Sequence, residues 1–189
     1  MRIQVNARNR GYEFEARPGE KVLHAGLRAG INLPYECATG TCGTCKAKLV
    51  AGRVQDGWVQ APGKKYVKPE RDEFLMCQCV AEADLTLEVS KFVHDMERGA
   101  CAPAACEGVL RAPRALAHDI MAFGVELAQP RDFDAGQFVL LAPPGLAGYR
   151  AYSMCNFERG ARLLDFVVKR KPEGGFRSEE RRVGKECRL

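Results

Sequence analysis

The chain has 189 residues, 46% of them apolar and 28% charged, which allows one large domain or two small ones and excludes a disordered or fibrous chain. No apolar run approaches the ~18 residues of a membrane span, and the first residues carry scattered charge instead of a basic patch and an apolar core. The net charge of +5 is interspersed with acidic side chains and forms no dense stripe for a polyanion, so neither a membrane nor a nucleic-acid partner is expected.

At the start, "RIQVN" and "YEFEA" alternate as strands do, and the turn-like "ARNRG" between them makes a hairpin. In "RPGEKVLHAGLRAGINLP", a Pro-Gly stop precedes Val22, Leu23, Gly26 and Leu27 at helical spacing, and Gly30 and Pro34 close the segment. A loop rich in Cys, Gly and Thr follows, then "KAKLVAGRV" as a third strand and the polar excursion "QDGWVQAPGKKYVKPE". Two more strands, "FLMCQCV" and "LTLEVS", complete the set. A small mixed sheet clasping one helix is a β-grasp arrangement, read over residues 1–92.

From 93 to 106 the pattern fails, in "VHDMERGACAPAAC", and this stretch reads as a linker. Beyond it, "GVLRAPRAL", "IMAFGVEL", "GQFVLLAPP" and "LLDFVVKRK" are strand candidates at short spacing. They suggest an antiparallel barrel or sandwich over 107–176. There is no internal repeat.

Cys37, Cys42 and Cys45 have the spacing C-x4-C-x2-C, and Cys77 follows alone after 31 intervening residues. That is the plant-type spacing for a 2Fe-2S cluster. Two irons need four thiolates, and a loop offering three must turn its N–H groups inward toward sulfur. Gly40 and Gly43 let the backbone take positive φ, and the small Ala38, Thr39, Thr41 and Thr44 suit the same close approach. Four cysteines could also hold a structural zinc ion. Zinc ribbons, however, offer two short paired-Cys knuckles, so this spacing favours iron and sulfide. The nine cysteines are an odd number without a secretion signal, which points to a reducing, cytoplasmic compartment and not to a disulfide framework. Cys79 would point away from Cys77 on a strand and reads as a small buried hydrophobe. His24, His94 and His118 have no ligand spacing and read as surface or packing residues.

The segments "PYECATGTCGTCKAKLVAGRV" and "FLMCQC" resemble the N-terminal ferredoxin domain of bacterial oxygenase reductases, especially those serving toluene, phenol and related aromatic monooxygenases. The resemblance implies that Cys37, Cys42, Cys45 and Cys77 ligate the 2Fe-2S centre, at a potential of about −400 mV.

"GYRAYSMCNF" admits a physical reading of its own. On a strand Arg150 and Tyr152 share a face and Ser153 takes the other. An Arg can hold a phosphate, a Tyr ring can lie on an apolar heterocycle, and a Ser hydroxyl can donate to a ring nitrogen. R-x-Y-S alone is short enough to arise by chance on a surface strand. Its place after a cluster domain, between "GQFVLLAPP" and "LLDFVVKRKPEGG", resembles the FAD-binding barrel of the ferredoxin reductase superfamily. By that resemblance Arg150 would bind the FAD pyrophosphate, Tyr152 would stack on the flavin and Ser153 would approach its N5. Val168 and Lys169 would lie along the flavin edge, and Gly174 and Gly175 would begin a phosphate-binding turn.

After Phe176 the chain reads "RSEERRVGKECRL". Arg177 to Arg188 resembles the conceptual translation of a short-read sequencing adapter, so residues 177–189 are read as a tail outside the fold. The expected fold is therefore α+β: a β-grasp 2Fe-2S ferredoxin domain followed by an incomplete antiparallel β-barrel of the FAD-binding type. The expected function is electron transfer as the reductase component of an oxygenase system, from NAD(P)H through FAD and the cluster to an oxygenase or ferredoxin acceptor. The NAD(P)H domain is expected only in a full-length parent, FAD binding is expected to be weak or absent in this chain, and the chain as written is not expected to oxidise NAD(P)H. A stand-alone ferredoxin-like carrier and a structural metal-binding protein remain the alternatives.

Overall fold

A computed structural model describes residues 1–142 and 148–169, and residues 187–188 as backbone. The chain divides into two units, Met1–Pro103 and Ala104–Leu189.

The first unit contains β1 (Arg2–Ala7), β2 (Gly11–Glu15), α1 (Val22–Arg28), β3 (Ile31–Asn32), β4 (Lys46–Ala51), β5 (Val54–Asp56), β6 (Glu73–Leu75), β7 (Cys79–Ala81), β8 (Leu85–Val89) and β9 (His94–Asp95). Two 3-10 turns, Pro62–Tyr66 and Pro69–Arg71, lie in the long excursion between β5 and β6. Five strands form a mixed sheet in the order β2-β1-β8-β4-β6. β1 and β8 run parallel, and the other pairs are antiparallel. Alternation along β1 sends Ile3 and Val5 inward, where Phe14, Leu85, Leu87 and Val89 meet them. A seven-residue helix has little stability alone, and α1 forms because Val22, Leu23, Ala25, Gly26 and Leu27 are all buried against the sheet. This is the expected β-grasp sheet and helix.

Two segments differ from the sequence reading. "KAKLVAGRV" is split between β4 and β5, which belong to different sheets, with Gly52 at φ +96° between them. "FLMCQCV" is likewise divided: β6 ends at Leu75, residues 76–78 form a turn, and β7 joins β5. The ladder stops because the backbone groups of the turn bond elsewhere. The Met76 N–H donates to the Cys45 carbonyl at 3.1 Å, and the Met76 carbonyl accepts from the Leu23 N–H at 3.0 Å. The first unit also extends past residue 92, since Val93 is fully buried and His94–Asp95 pairs with Ile31–Asn32.

In the second unit, β10 (Glu107–Ala117), β11 (Ile120–Arg131) and β14 (Ala161–Lys169) form an antiparallel sheet edged by β15 (Cys187–Arg188), and β12 (Phe138–Leu141) pairs with β13 (Arg150–Ser153). Its core is Phe123, Val125, Leu127, Leu141, Ala161, Leu164, Phe166 and Val168, with the Phe123 and Phe166 rings stacked at 5.3 Å. The described strands form an antiparallel sheet and a separate strand pair, and among the described residues they do not close a barrel. No described helix is long and apolar enough to cross a membrane.

Candidate metal centre

Cys37, Cys42 and Cys45 lie on the irregular loop between β3 and β4, and Cys77 lies on the 76–78 turn that faces it. The loop curls because Ala38, Gly40 and Gly43 take φ of 51°, 80° and 77°. Glycine adopts that region freely, which is what the two glycines contribute. The curl points N–H groups at sulfur. Cys37 Sγ accepts from the backbone N–H of Thr39, Thr41 and Cys42, each at 3.4 Å, and Cys42 Sγ accepts from the N–H of Thr44 at 3.4 Å. Cys77 Sγ accepts from the Gln78 side-chain amide at 3.4 Å and from the Gly40 N–H.

The four thiols are linked in a chain of pairwise interactions. Cys45 donates to Cys77 and feels Cys42, while Cys77 also feels Cys37. Burial pushes the Cys37 thiol up, but the Thr39 hydroxyl and the N–H groups of Thr39, Cys42 and Thr41 outweigh it and hold the thiol down to about 6. A site that stabilises negative sulfur in this way is suited to thiolate ligation. The hydrogen bond from Cys45 to Cys77 holds the Cys45 thiol up, with burial adding to it, and the same bond holds the Cys77 thiol down. Cys45 and Cys77 are buried, whereas Cys37 and Cys42 are partly exposed, so the group has an inner and an outer pair. Among the described residues no three His, Cys, Asp or Glu side chains gather closely enough to hold a single metal ion. Two irons each need only two protein thiolates, and this inner and outer pairing fits that demand.

Cys79 stands apart from this group. At the start of β7 it is buried, and burial, with the Asp56 carboxylate adding to it, pushes its thiol up to about 12.

Four supports for the loop were not evident from the cysteine spacing. Gly63, in the Pro62–Tyr66 turn, donates its N–H to the Gly40 carbonyl at 2.7 Å, and a Cβ there would lie 2.7 Å from that oxygen. Tyr66 covers Gly43 so closely that a Cβ on residue 43 would lie 2.6 Å from its ring. Lys21 Nζ and the Gly57 N–H fix the Gln78 carbonyl at 2.6 and 3.0 Å. Lys64 and Asp56 pair between the excursion and β5. The only sequence sign of these supports was Gly63 itself, a glycine beside a proline in a segment that read as a plain loop.

The residues singled out in the second unit are less gathered. Arg150 and Tyr152 share the more buried side of β13, and Ser153 is exposed on the other. Tyr152 packs on the second unit's core, and Arg150 Nη1 donates to the Tyr149 carbonyl at 3.0 Å. Val168 is 3% exposed and its side chain packs within that core. Lys169 pairs with Asp119 at 3.2 Å. Gly174 and Gly175 lie outside the described residues.

Residues 5–82 match the family described as "2Fe-2S iron-sulfur cluster binding domain". A ferredoxin–NAD(P)+ reductase of Metapseudomonas resinovorans is 38% identical over 160 residues, covering 84% of this chain and 48% of that protein. The ferredoxin–NAD+ reductase component of an alkene monooxygenase system in Xanthobacter autotrophicus is 35% identical over 167 residues, covering 88% of this chain and 50% of its own. Among solved structures, the "ferredoxin reductase in carbazole 1,9a-dioxygenase" superposes with a TM-score of 0.81 at 34% identity, covering 100% of this chain and 60% of that one. The chain thus spans about half the length of the curated relatives it matches.

Proposed function

With homologues that are ferredoxin–NAD(P) reductase components of monooxygenase and dioxygenase systems, we propose that this chain is the electron-transfer part of such a reductase. In this reading Cys37, Cys42, Cys45 and Cys77 hold a 2Fe-2S cluster, and Arg150, Tyr152 and Ser153 belong to a flavin site that takes electrons originating at NAD(P)H. An oxygenase, or a ferredoxin serving it, is the acceptor. The observation that carries the reading is the set of N–H groups aimed at Cys37, Cys42 and Cys77 sulfur around four thiols linked pairwise.

When bound, the cluster supplies one-electron chemistry and the flavin links it to a two-electron hydride donor. The protein supplies position and field. Fixed N–H dipoles stabilise negative charge on sulfur, and burial of Cys45 and Cys77 keeps water from that side. The partly exposed Cys37 and Cys42 define the side from which an acceptor can approach. On β13, Arg150 offers a cation for a phosphate and the Tyr152 ring an apolar face.

Iron, acid-labile sulfide and visible absorption of the purified chain test this. Two irons and two sulfides per chain with charge-transfer bands are expected. Zinc without sulfide would overturn the assignment in favour of a structural metal site.

A further inference from the structure

Buried polar side chains need partners, and among the described residues only Thr39 and Gln78 are polar and buried. Gln78 is 2% exposed and follows Cys77 directly. Its Nε2 donates to Cys77 Sγ at 3.4 Å. The same amide fills the space a side chain at residue 40 would need, since a Cβ there would lie 2.8 Å from Nε2. Its backbone is fixed from two elements, by Lys21 Nζ at the start of α1 and by the Gly57 N–H after β5. Gln78 is therefore held at both ends, and among the described residues the hydrogen bond of its side-chain amide goes to the Cys77 thiol.

A hydrogen bond to a ligand sulfur stabilises whichever redox state places more negative charge there, which is the reduced state. The effect is strongest where water cannot screen it. Cys77 is fully buried, unlike Cys37 and Cys42, so a fixed donor on Cys77 has more leverage than one at the solvent side.

We propose that Gln78 is a positioning residue that tunes the cluster: its amide N–H on Cys77 sulfur raises the reduction potential above the value the four cysteines alone would set. This rests on the reading of Cys77 as a cluster ligand. Gln78 shapes the potential without ligating iron, and the close fit over Gly40 holds its amide in the donating orientation.

The test is Gln78→Met in the full chain, which keeps length and apolar volume but removes the N–H. The expected result is an iron and sulfide content like the wild type's and a midpoint shifted to more negative potential in a redox titration. In the wild type grown with glutamine labelled with 15N at the side chain, pulsed EPR of the reduced protein should show a nitrogen coupling that Gln78→Met lacks. A merely structural glutamine would move neither. An unchanged midpoint in a cluster-loaded Gln78→Met overturns the proposal, and so does the absence of side-chain nitrogen coupling in the wild type. If Gln78→Met fails to retain the cluster, the labelled wild type decides alone. Wild-type protein without iron and sulfide would remove the four-cysteine reading and this proposal with it, an outcome seen before any variant is made.

Discussion

The cysteine loop and strand β13 were both singled out for cofactor chemistry, yet the fold treats them differently. On the loop and its closing turn, each selected thiol interacts with at least one other, and backbone N–H groups converge on sulfur. On β13 and β14, the selected side chains are divided between the core, a surface ion pair and solvent. The difference follows from how each site is built. A cluster site needs one tight loop and one closing turn, both held here by the first unit's own sheet and helix. A flavin-sized ligand needs several strands at once, and a strand sends alternate side chains to opposite faces whatever their chemistry.

The largest effect that could break this contrast comes from the ligands. Cys42→Ser should abolish the visible absorption of the cluster, while Cys79→Ser should leave it intact, because Cys79 is a buried thiol outside the group of four. Loss of the spectrum in Cys79→Ser with retention in Cys42→Ser would mean that the ligand set is misassigned.

Next in size is the packing behind the loop. Gly63→Ala would put a Cβ 2.7 Å from the Gly40 carbonyl oxygen and 3.1 Å from the Gly43 nitrogen, both backbone atoms that cannot rotate away. A stability loss of about 1–3 kcal/mol is expected from such overpacking, together with reduced cluster content. Gly136→Ala in the second unit meets nothing within 4 Å and pays only for its φ of +88°, roughly 1–2 kcal/mol, with cluster content unchanged. Thermal unfolding and iron analysis of the two variants separate a packed site from an open turn.

A smaller effect is expected at Arg150. If its guanidinium meets a phosphate, Arg150→Ala should weaken flavin about ten- to a hundredfold, the size of one charge-assisted contact. Fluorescence titration of a full-length parent with FAD measures this. An affinity equal to the wild type's would detach Arg150 from any flavin role and widen the contrast between the regions.

Much of this was legible in the sequence for identifiable reasons. The C-x4-C-x2-C spacing marks one continuous loop, so local sequence carries most of the site. The β-grasp sheet was readable because β1, β2 and β8 alternate cleanly. The break after Leu75 was not, since "FLMCQCV" has the composition of a continuous strand. What interrupts it is long-range: the Cys45 carbonyl, the Leu23 N–H and the Lys21 ammonium take the turn's backbone groups. Gln78 was passed over for the same reason, because nothing local tells a buried donor from a surface glutamine. Val168 shows the opposite case, a position that resemblance and alternation read differently. Resemblance placed it at a flavin edge, while period-two alternation along β14 puts it beside Leu164 and Phe166 in the core.

The smallest expected effect depends on pH and separates the units by their histidines. His24 lies on α1, which supports the closing turn through the Leu23 N–H to Met76 carbonyl bond at 3.0 Å. Burial holds its imidazole below the ordinary value of 6.5, with Glu20 pulling it up and Lys21 pushing it down. The folded first unit therefore keeps His24 neutral, while the unfolded chain takes up a proton near 6.5. That contribution to stability is present above 6.5 and is lost as pH falls below it toward the folded value, by at most about 1.4 kcal/mol per pH unit. His118, in the second unit, has a 91% exposed side chain and no comparable burial. The single tryptophan, Trp58, is in the first unit, so its fluorescence follows that unit selectively. Its unfolding midpoint should fall between about pH 7.5 and 5.5, and His24→Leu should flatten that slope without altering the second unit. If the Trp58 transition proves as steep in His24→Leu as in the wild type, the proton is taken up elsewhere and α1 is not the acid-sensitive support of the cluster loop.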